Sequence, residues 1–362
     1  MKIDELQTPC LIVDLDKLES NISKMASYCK SVGCSVRPHA KAHKNPLIAR
    51  KQLAGGAVGL CCQTLEEAES LVYSGIEDVL ITNIFASKNA FERILNLARN
   101  GRIILTVDSA EVAKLLSKAA KDRNCTLEVL VEINVGQNRT GVQAGPEAAK
   151  LAKLVSSLEC LRFRGLMGYE GHLQLSMPEF DKRKSAVKSA LSCLTQSIEE
   201  TKREGIDVEI VTSGGTGTYN ITAEYEGVTD IQPGSYVMMD NRYNLIDTAG
   251  KDFQNSLFLI STVVSKPDDS QAVVDLGWKS ASVEYSIYGW NGMPRAVEYD
   301  ASYSPGGDEH GILKFQRGAG LPSVGDRMKF IPSHCDTTLN LHNKFYGVRN
   351  GRVEVVCPIA RR

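Results

Sequence analysis

The sequence predicts a (β/α)8 barrel of the TIM type followed by a smaller all-β domain. Three observations predict it: short β-branched runs alternating with longer helical segments, a glycine-rich loop late in that series, and a change of grammar after about Asn244. The chain has 362 residues, 43% of them hydrophobic, which is enough for a large core and a second domain. A net charge of -1 offers no basic field for nucleic acid or anionic lipid. No window reaches the roughly 18 uninterrupted apolar residues of a membrane helix, and the acidic start lacks an apolar leader, so a cytoplasmic protein with no membrane partner is expected. The ten cysteines are scattered without zinc spacing, which favours reduced, mostly buried thiols.

Taken in order, a strand at residues 11–14 and a helix through about Val32 open the chain. Barrel strands are then expected to begin near Ser35, Ala57, Asp78, Arg102, Leu127, Leu161, Val208 and Asp230. Between them, segments such as 65–72 and 110–121 place apolar residues at three- and four-residue intervals, as amphipathic crossover helices do. Eight such units over about 210 residues fit a closed barrel better than an open sheet. Beyond Asn244, β runs at 256–265, 271–276, 296–299, 312–315, 327–331 and 353–356 alternate with Gly, Pro and Asp turns and no long helical segment. The expected domains are therefore a barrel over residues 11–244 and a β domain built from 1–10 and 245–362, with 241–252 as linker.

Two stretches carry chemistry. Arg37-Pro38-His39-Ala40-Lys41-Ala42-His43-Lys44 puts two of the six histidines beside Lys41 at the end of a strand-like run, where alternation turns that lysine inward. Thr212-Ser213-Gly214-Gly215-Thr216-Gly217-Thr218 follows the seventh barrel strand, where barrels frequently hold phosphate with backbone N–H groups. A strand-end lysine with a late phosphate loop suggests pyridoxal phosphate, the lysine forming a Schiff base with it.

With these residues the chain resembles the type III-fold pyridoxal-phosphate enzymes of the D-threonine aldolase and D-serine dehydratase group. The resemblance rests on ordered motifs over nearly the whole chain. They are Thr8-Pro9-Cys10-Leu11-Ile12-Val13-Asp14, the Lys41 stretch, Glu132 through Val142 with Asn138-Arg139-Thr140-Gly141, Gly168-Tyr169-Glu170-Gly171-His172, the glycine loop, and Pro332-Ser333-His334-Cys335-Asp336. It implies an alanine-racemase-like fold with Lys41 as the Schiff-base lysine and Ser213, Gly214, Gly215, Thr216, Gly217 and Thr218 holding the phosphate. The resemblance also implies Arg139 near the cofactor's phenolic oxygen and Tyr169 beside its ring, with Gln63 and Tyr236 as further cofactor neighbours. His172, after the sixth strand, is expected to take and return the substrate hydroxyl proton, since imidazole titrates near neutrality. His334 and Asp336, read as positions i and i+2 of one strand, share a face and suit an open divalent site, Mn²⁺, Mg²⁺ or Co²⁺ before Zn²⁺.

The resemblance thus implies an aldolase that cleaves D-3-hydroxy amino acids, D-threonine-like, to glycine and an aldehyde. It also implies a homodimer in which the β domain of one subunit covers the barrel mouth of the other. Asp336 leans toward the aldolases, because the related dehydratases place a thiolate there. A D-serine or 3-hydroxy-D-aspartate dehydratase remains the alternative. Further off stand a racemase, with Tyr285 or Tyr288 as second base, a non-enzymatic cofactor carrier and a cofactor-free metal hydrolase.

Overall fold

The computed structural model describes residues 1–318 and 320–360, with the side chains of Ile287, Tyr288 and Trp290 outside the description. The chain divides into two compact units. One comprises Ser23–Lys41 and Pro46–Gly234; the other comprises Met1–Ile22, Ala42–Asn45 and the described chain from Ser235 onward.

The opening strand, β1 (Cys10–Asp14), belongs to the second unit and is treated with it below. The first unit is the barrel. Its strands are β2 (Ser35–Val36), β3 (Leu60–Cys62), β4 (Asp78–Ile81), β5 (Arg102–Val107), β6 (Leu127–Glu132), β7 (Leu161–Met167), β8 (Ile210–Ser213) and β9 (Asp230–Ile231). Among the described residues these eight pair in parallel in the order β2-β9-β8-β7-β6-β5-β4-β3. A parallel bridge between His39 and Cys61, with Val58 N–H on the Val36 carbonyl, joins the two ends of that order. All eight arise at or near where the sequence placed them, β3 starting at Leu60 rather than Ala57 and β8 at Ile210 rather than Val208. The crossover helices Leu65–Val72, Lys88–Leu97 and Ala110–Asp122 start at Thr64, Ser87 and Ser109, whose side chains accept the N–H three residues on.

Side-chain alternation divides the barrel core in two. Val79, Ile81, Ile103, Leu105, Val129 and Val131 pack outward against the helices. Leu80, Ile104, Leu130, Met167 and Cys61 fill the lumen, and each fully buried aliphatic side chain contributes about 1.5–3 kcal/mol. Near the strand starts the lumen carries charge: Arg37 pairs with Asp78 and Asp230, Arg102 with Asp78 and Glu128, and Arg164 with Glu128 and Glu209. Arg37, one of the cations crowded around Lys41 in sequence, is therefore a buried structural ion-pair partner.

The second unit is mainly sheet. Its further strands are β10 (Leu257–Asp268), β11 (Gln271–Val274), β12 (Arg295–Ala296), β13 (Ala301–Pro305), β14 (Gly311–Phe315), β15 (Arg327–Ile331), β16 (Lys344–Arg349) and β17 (Arg352–Pro358). They order as β13-β14-β11-β10-β1-β16-β17, with β15 pairing β10 and β12. β1 runs antiparallel to β10 and parallel to β16, so the opening strand sits in this sheet although the sequence reading grouped residues 11–244 together. Two strands were not anticipated, β13 and β16. The second had a legible signal, because Asn350-Gly351, both at positive φ, is a two-residue hairpin turn joining β16 to β17. No helix among the described residues is long and apolar enough to cross a membrane.

Candidate active site

Lys41 stands in a short 3-10 turn, Ala40–Ala42, just past β2. It is half-buried, and its backbone N–H approaches His39 Nδ1 at 3.5 Å. The other ring nitrogen of His39 is 3.0 Å from the Thr82 hydroxyl, which also lies 3.0 Å from Gln63 Oε1. His39, Thr82 and Gln63 occupy the ends of neighbouring barrel strands, and this bonded chain fixes the rim on which the lysine turn rests. His43, the other histidine of the motif, is fully buried and accepts the Asn45 N–H at 3.1 Å, as a local cap rather than a reactive group.

The glycine loop leaves β8 as the sequence required, but several of its donors turn inward. Glu170 is fully buried, and its carboxyl oxygens accept from the Ser213 hydroxyl (2.8 Å), Gly214 N–H (3.1 Å), the Thr218 hydroxyl (2.8 Å) and the Thr222 hydroxyl (2.7 Å). Gly217 N–H donates to Gln174 Oε1 at 2.7 Å, and Gly215 N–H to the Thr218 hydroxyl at 3.0 Å. The Ser213 and Thr218 hydroxyls organise the loop from behind, because a buried carboxyl group must be hydrogen-bonded. A side chain at Gly215 would run into the Gln174 amide, 2.6 Å from a built Cβ. Glu170 sits inside the recognised Tyr169–His172 motif; its partners are more than 40 residues away in sequence, which is why reading along the chain missed it.

His172 begins a short helix, His172–Ser176, after β7. Its buried Nδ1 has no hydrogen-bond partner among the described residues, and burial lowers its pKa, opposed by the charge of Glu170. Gly136, at φ +110°, leaves the space the ring needs: a Cβ there would lie 3.2 Å from His172 Nε2. An open cleft of about 400 Å³ adjoins the histidine, lined in part by Asn134, Gly136, Gln143 and Ser189. Arg139 is exposed, its guanidinium 5.9 Å from the Tyr169 ring centroid, and the Tyr169 hydroxyl accepts from the Gln174 amide at 2.9 Å. Glu132, last residue of β6, is another side chain the sequence reading did not single out. One of its oxygens takes the Thr140 hydroxyl at 2.6 Å, the other is buried without a partner among the described residues, and burial pushes its carboxyl above the usual range.

In the second unit, Tyr236 is fully buried, edge-on to Phe253 at 5.6 Å. His334 and Asp336 do not lie in a strand. His334 is extended and immediately precedes a short helix, Cys335–Leu339, whose first turn contains Asp336. The two still approach, His334 Nε2 to Asp336 Oδ1 being 3.9 Å, because the turn rather than strand alternation brings them round. Two metal–ligand bonds of about 2.1 Å can span that gap. Asp240, immediately before the stretch read as linker, is fully buried, with Oδ2 2.7 Å from His334 Nδ1 and accepting the Cys335 N–H at 2.8 Å. A proton on Nδ1 leaves the Nε2 lone pair for an ion. Asp240, His334 and Cys335 also form a potential ligand set by proximity. Geometry favours Nε2 with Asp336 instead, since Asp240 already accepts two donors and burial pushes the Cys335 thiol well above its ordinary pKa. Replacing Asp240 with Ala is expected to weaken Mn²⁺ binding by about 10–100-fold in a calorimetric titration, and unchanged affinity would remove Asp240 from this role.

The residues present fit the cofactor and the ion that the resemblance implies. The barrel contributes a half-buried lysine at one strand end, a pre-folded glycine loop at another, and buried atoms of His172 and Glu132 that have no partner among the described residues at the ends of further strands. The family described as alanine racemase, N-terminal domain, matches residues 13–242, and a putative serine dehydratase domain matches residues 256–348. A 3-hydroxy-D-aspartate aldolase of Paracoccus denitrificans (strain Pd 1222) is 36% identical, the alignment covering 100% of this chain and 94% of that protein. A D-threonine aldolase of an Arthrobacter species is 35% identical over 99% of this chain and 93% of its own. The crystal structure of D-threonine aldolase from Filomicrobium marinum superposes with a TM-score of 0.94 at 37% identity, covering 99% of this chain and 97% of that one. The chain belongs to the alanine racemase N-terminal domain family and, within its type III-fold pyridoxal-phosphate enzymes, to the lyase group of the D-threonine and 3-hydroxy-D-aspartate aldolases.

Proposed function

We propose that the protein is a pyridoxal-phosphate- and divalent-metal-dependent aldolase that cleaves D-3-hydroxy amino acids to glycine and an aldehyde. The observation that carries this reading is the half-buried imidazole of His172, kept neutral by burial and presenting a buried nitrogen without a partner among the described residues, beside an open cleft. Bound pyridoxal phosphate would supply an electron sink for a substrate carbanion, and a divalent ion would acidify the 3-hydroxyl.

The chain's own groups do the rest. Lys41 anchors the cofactor, its turn held by the His39–Thr82–Gln63 chain. The loop from Ser213 to Thr218, pre-folded around Glu170 and Gln174, would seat the phosphate. Arg139 and Tyr169 would neighbour the cofactor, and His334 with Asp336 would hold the ion, the imidazole being positioned by Asp240. His172 accepts the hydroxyl proton as the Cα–Cβ bond breaks, and the ammonium of Lys41 returns a proton to Cα.

A dehydratase is the second reading. It is favoured by one observation, the Cys335 thiol 3.4 Å from Asp336 Oδ1, which puts sulfur beside the proposed ion site. The test is a product assay on D- and L-3-hydroxy amino acids with Mn²⁺ and with chelator. Glycine and aldehyde from the D-isomers, lost on chelation, is the expected result. Ammonia with a keto acid overturns the aldolase in favour of the dehydratase.

A further inference from the structure

The stretch Asp240-Asn241-Arg242-Tyr243 is held firmly within the second unit. Asn241 N–H donates to the Pro332 carbonyl at 3.0 Å and Arg242 N–H to the Ser333 carbonyl at 3.1 Å, while the Asn241 amide donates to Asn291 and Met293 carbonyls. This anchoring fixes where the Arg242 side chain starts. Its guanidinium carbon lies 4.0 Å from the Tyr285 ring centroid and 5.5 Å from that of Tyr243, and one terminal nitrogen donates to the Tyr285 hydroxyl. That same nitrogen is 3.4 Å from His334 Nε2, the atom that faces Asp336. A guanidinium held by aromatic faces is pre-organised for a planar anion.

An ion bound at His334 and Asp336 would therefore share one place with the arginine. The carboxylates of Asp336 and Asp240 offset part of that positive charge, and a further anion between the two centres would offset the rest. A methyl group on the carbon bearing the hydroxyl, as in D-threonine, gives no such anion. A carboxylate on that carbon does: its oxygen and the neighbouring hydroxyl can close a five-membered chelate on a divalent ion, while the second carboxylate oxygen meets the guanidinium.

We infer that Arg242 is a specificity-determining residue that selects substrates with a carboxylate on the hydroxyl-bearing carbon, of the 3-hydroxy-D-aspartate type. The inference rests on the aldolase reading above and narrows its substrate class. The reaction balances without a further reagent. The Cα–Cβ bond breaks, its electrons go to Cα, the hydroxyl proton passes to His172, Cα gains a proton, and the products are glycine and glyoxylate.

The wild-type enzyme loaded with Mn²⁺ is expected to show kcat/KM at least tenfold higher for 3-hydroxy-D-aspartate than for D-threonine. Arg242→Ala is expected to lower that ratio at least tenfold, with Arg242→Lys intermediate, since lysine keeps the charge but not the fork. A readout independent of turnover is calorimetric binding of D-malate to the Mn²⁺-loaded protein. D-malate should bind the wild type and bind Arg242→Ala at least tenfold more weakly, with Mn²⁺ affinity equal or higher. A wild-type preference for D-threonine, equal losses on both amino acids, or undiminished D-malate binding each overturns the inference. If neither amino acid is cleaved, the aldolase reading fails, while the malate titration still decides the role of Arg242.

Discussion

Turnover falls by about 10²–10⁴-fold when His172 is replaced by Gln, the range typical for loss of a general base, while cofactor affinity stays within about twofold. The split follows from where the side chain stands. His172 begins the helix after β7 and has a buried nitrogen with no partner among the described residues, so little of the fold depends on its hydrogen bonds. The pH dependence carries the sharper prediction. Burial disfavours the imidazolium, so the folded-state pKa lies below 6.5, the ordinary value, although the charge of Glu170 works the other way. The base form then persists as pH falls through 6.5, and the acid limb of kcat/KM lies below that pH. In His172→Gln this limb should vanish from the profile. A limb retained in the variant, or one centred above 6.5 in the wild type, assigns the base elsewhere.

Replacing Glu170 with Ala is expected to weaken pyridoxal phosphate binding by at least about 100-fold, with a clearly smaller loss for pyridoxal, which lacks the phosphate. The carboxyl group accepts four hydrogen bonds, from Ser213, Gly214, Thr218 and Thr222, in a fully buried position. Each donor left unsatisfied costs roughly 1–3 kcal/mol. Rearrangement and entering water recover part of this, and a residual of about 3 kcal/mol in loop ordering corresponds to about 100-fold in affinity. Glu170→Gln should fall between, because an amide keeps one acceptor but presents N–H₂ to a backbone N–H. Titrating the two cofactor forms by visible absorbance, alongside a melting curve, separates loop organisation from general instability. Equal losses for both forms, or unchanged affinity for pyridoxal phosphate, would remove Glu170 from this role.

The sequence was most readable where structure is periodic. Eight barrel strands and their crossover helices could be placed because strand alternation and helical spacing are local properties, and side chains such as Ser109 cap helices within three residues. The strand of residues 10–14 was equally visible as a strand, but its partners, β10 and β16, lie more than 240 residues downstream. Nothing local says which sheet it joins. The turn holding His334 and Asp336 failed for a related reason: the short run was read as extended, whereas His334 opens a helix.

What the sequence determined by itself is the set of reactive groups and their order along the chain: a lysine after the first barrel strand, a histidine after the sixth, a glycine loop after the seventh, and a histidine and an aspartate far beyond. Only the tertiary structure decided what holds those groups. Glu170 behind the glycine loop, Asp240 beneath His334 and Arg242 beside it are acidic and basic residues with no local signature, in or beside stretches that read as motif filler or linker. Their roles arise from desolvation. A polar group taken out of water must find partners, and those partners are set by which distant strand ends the fold brings together.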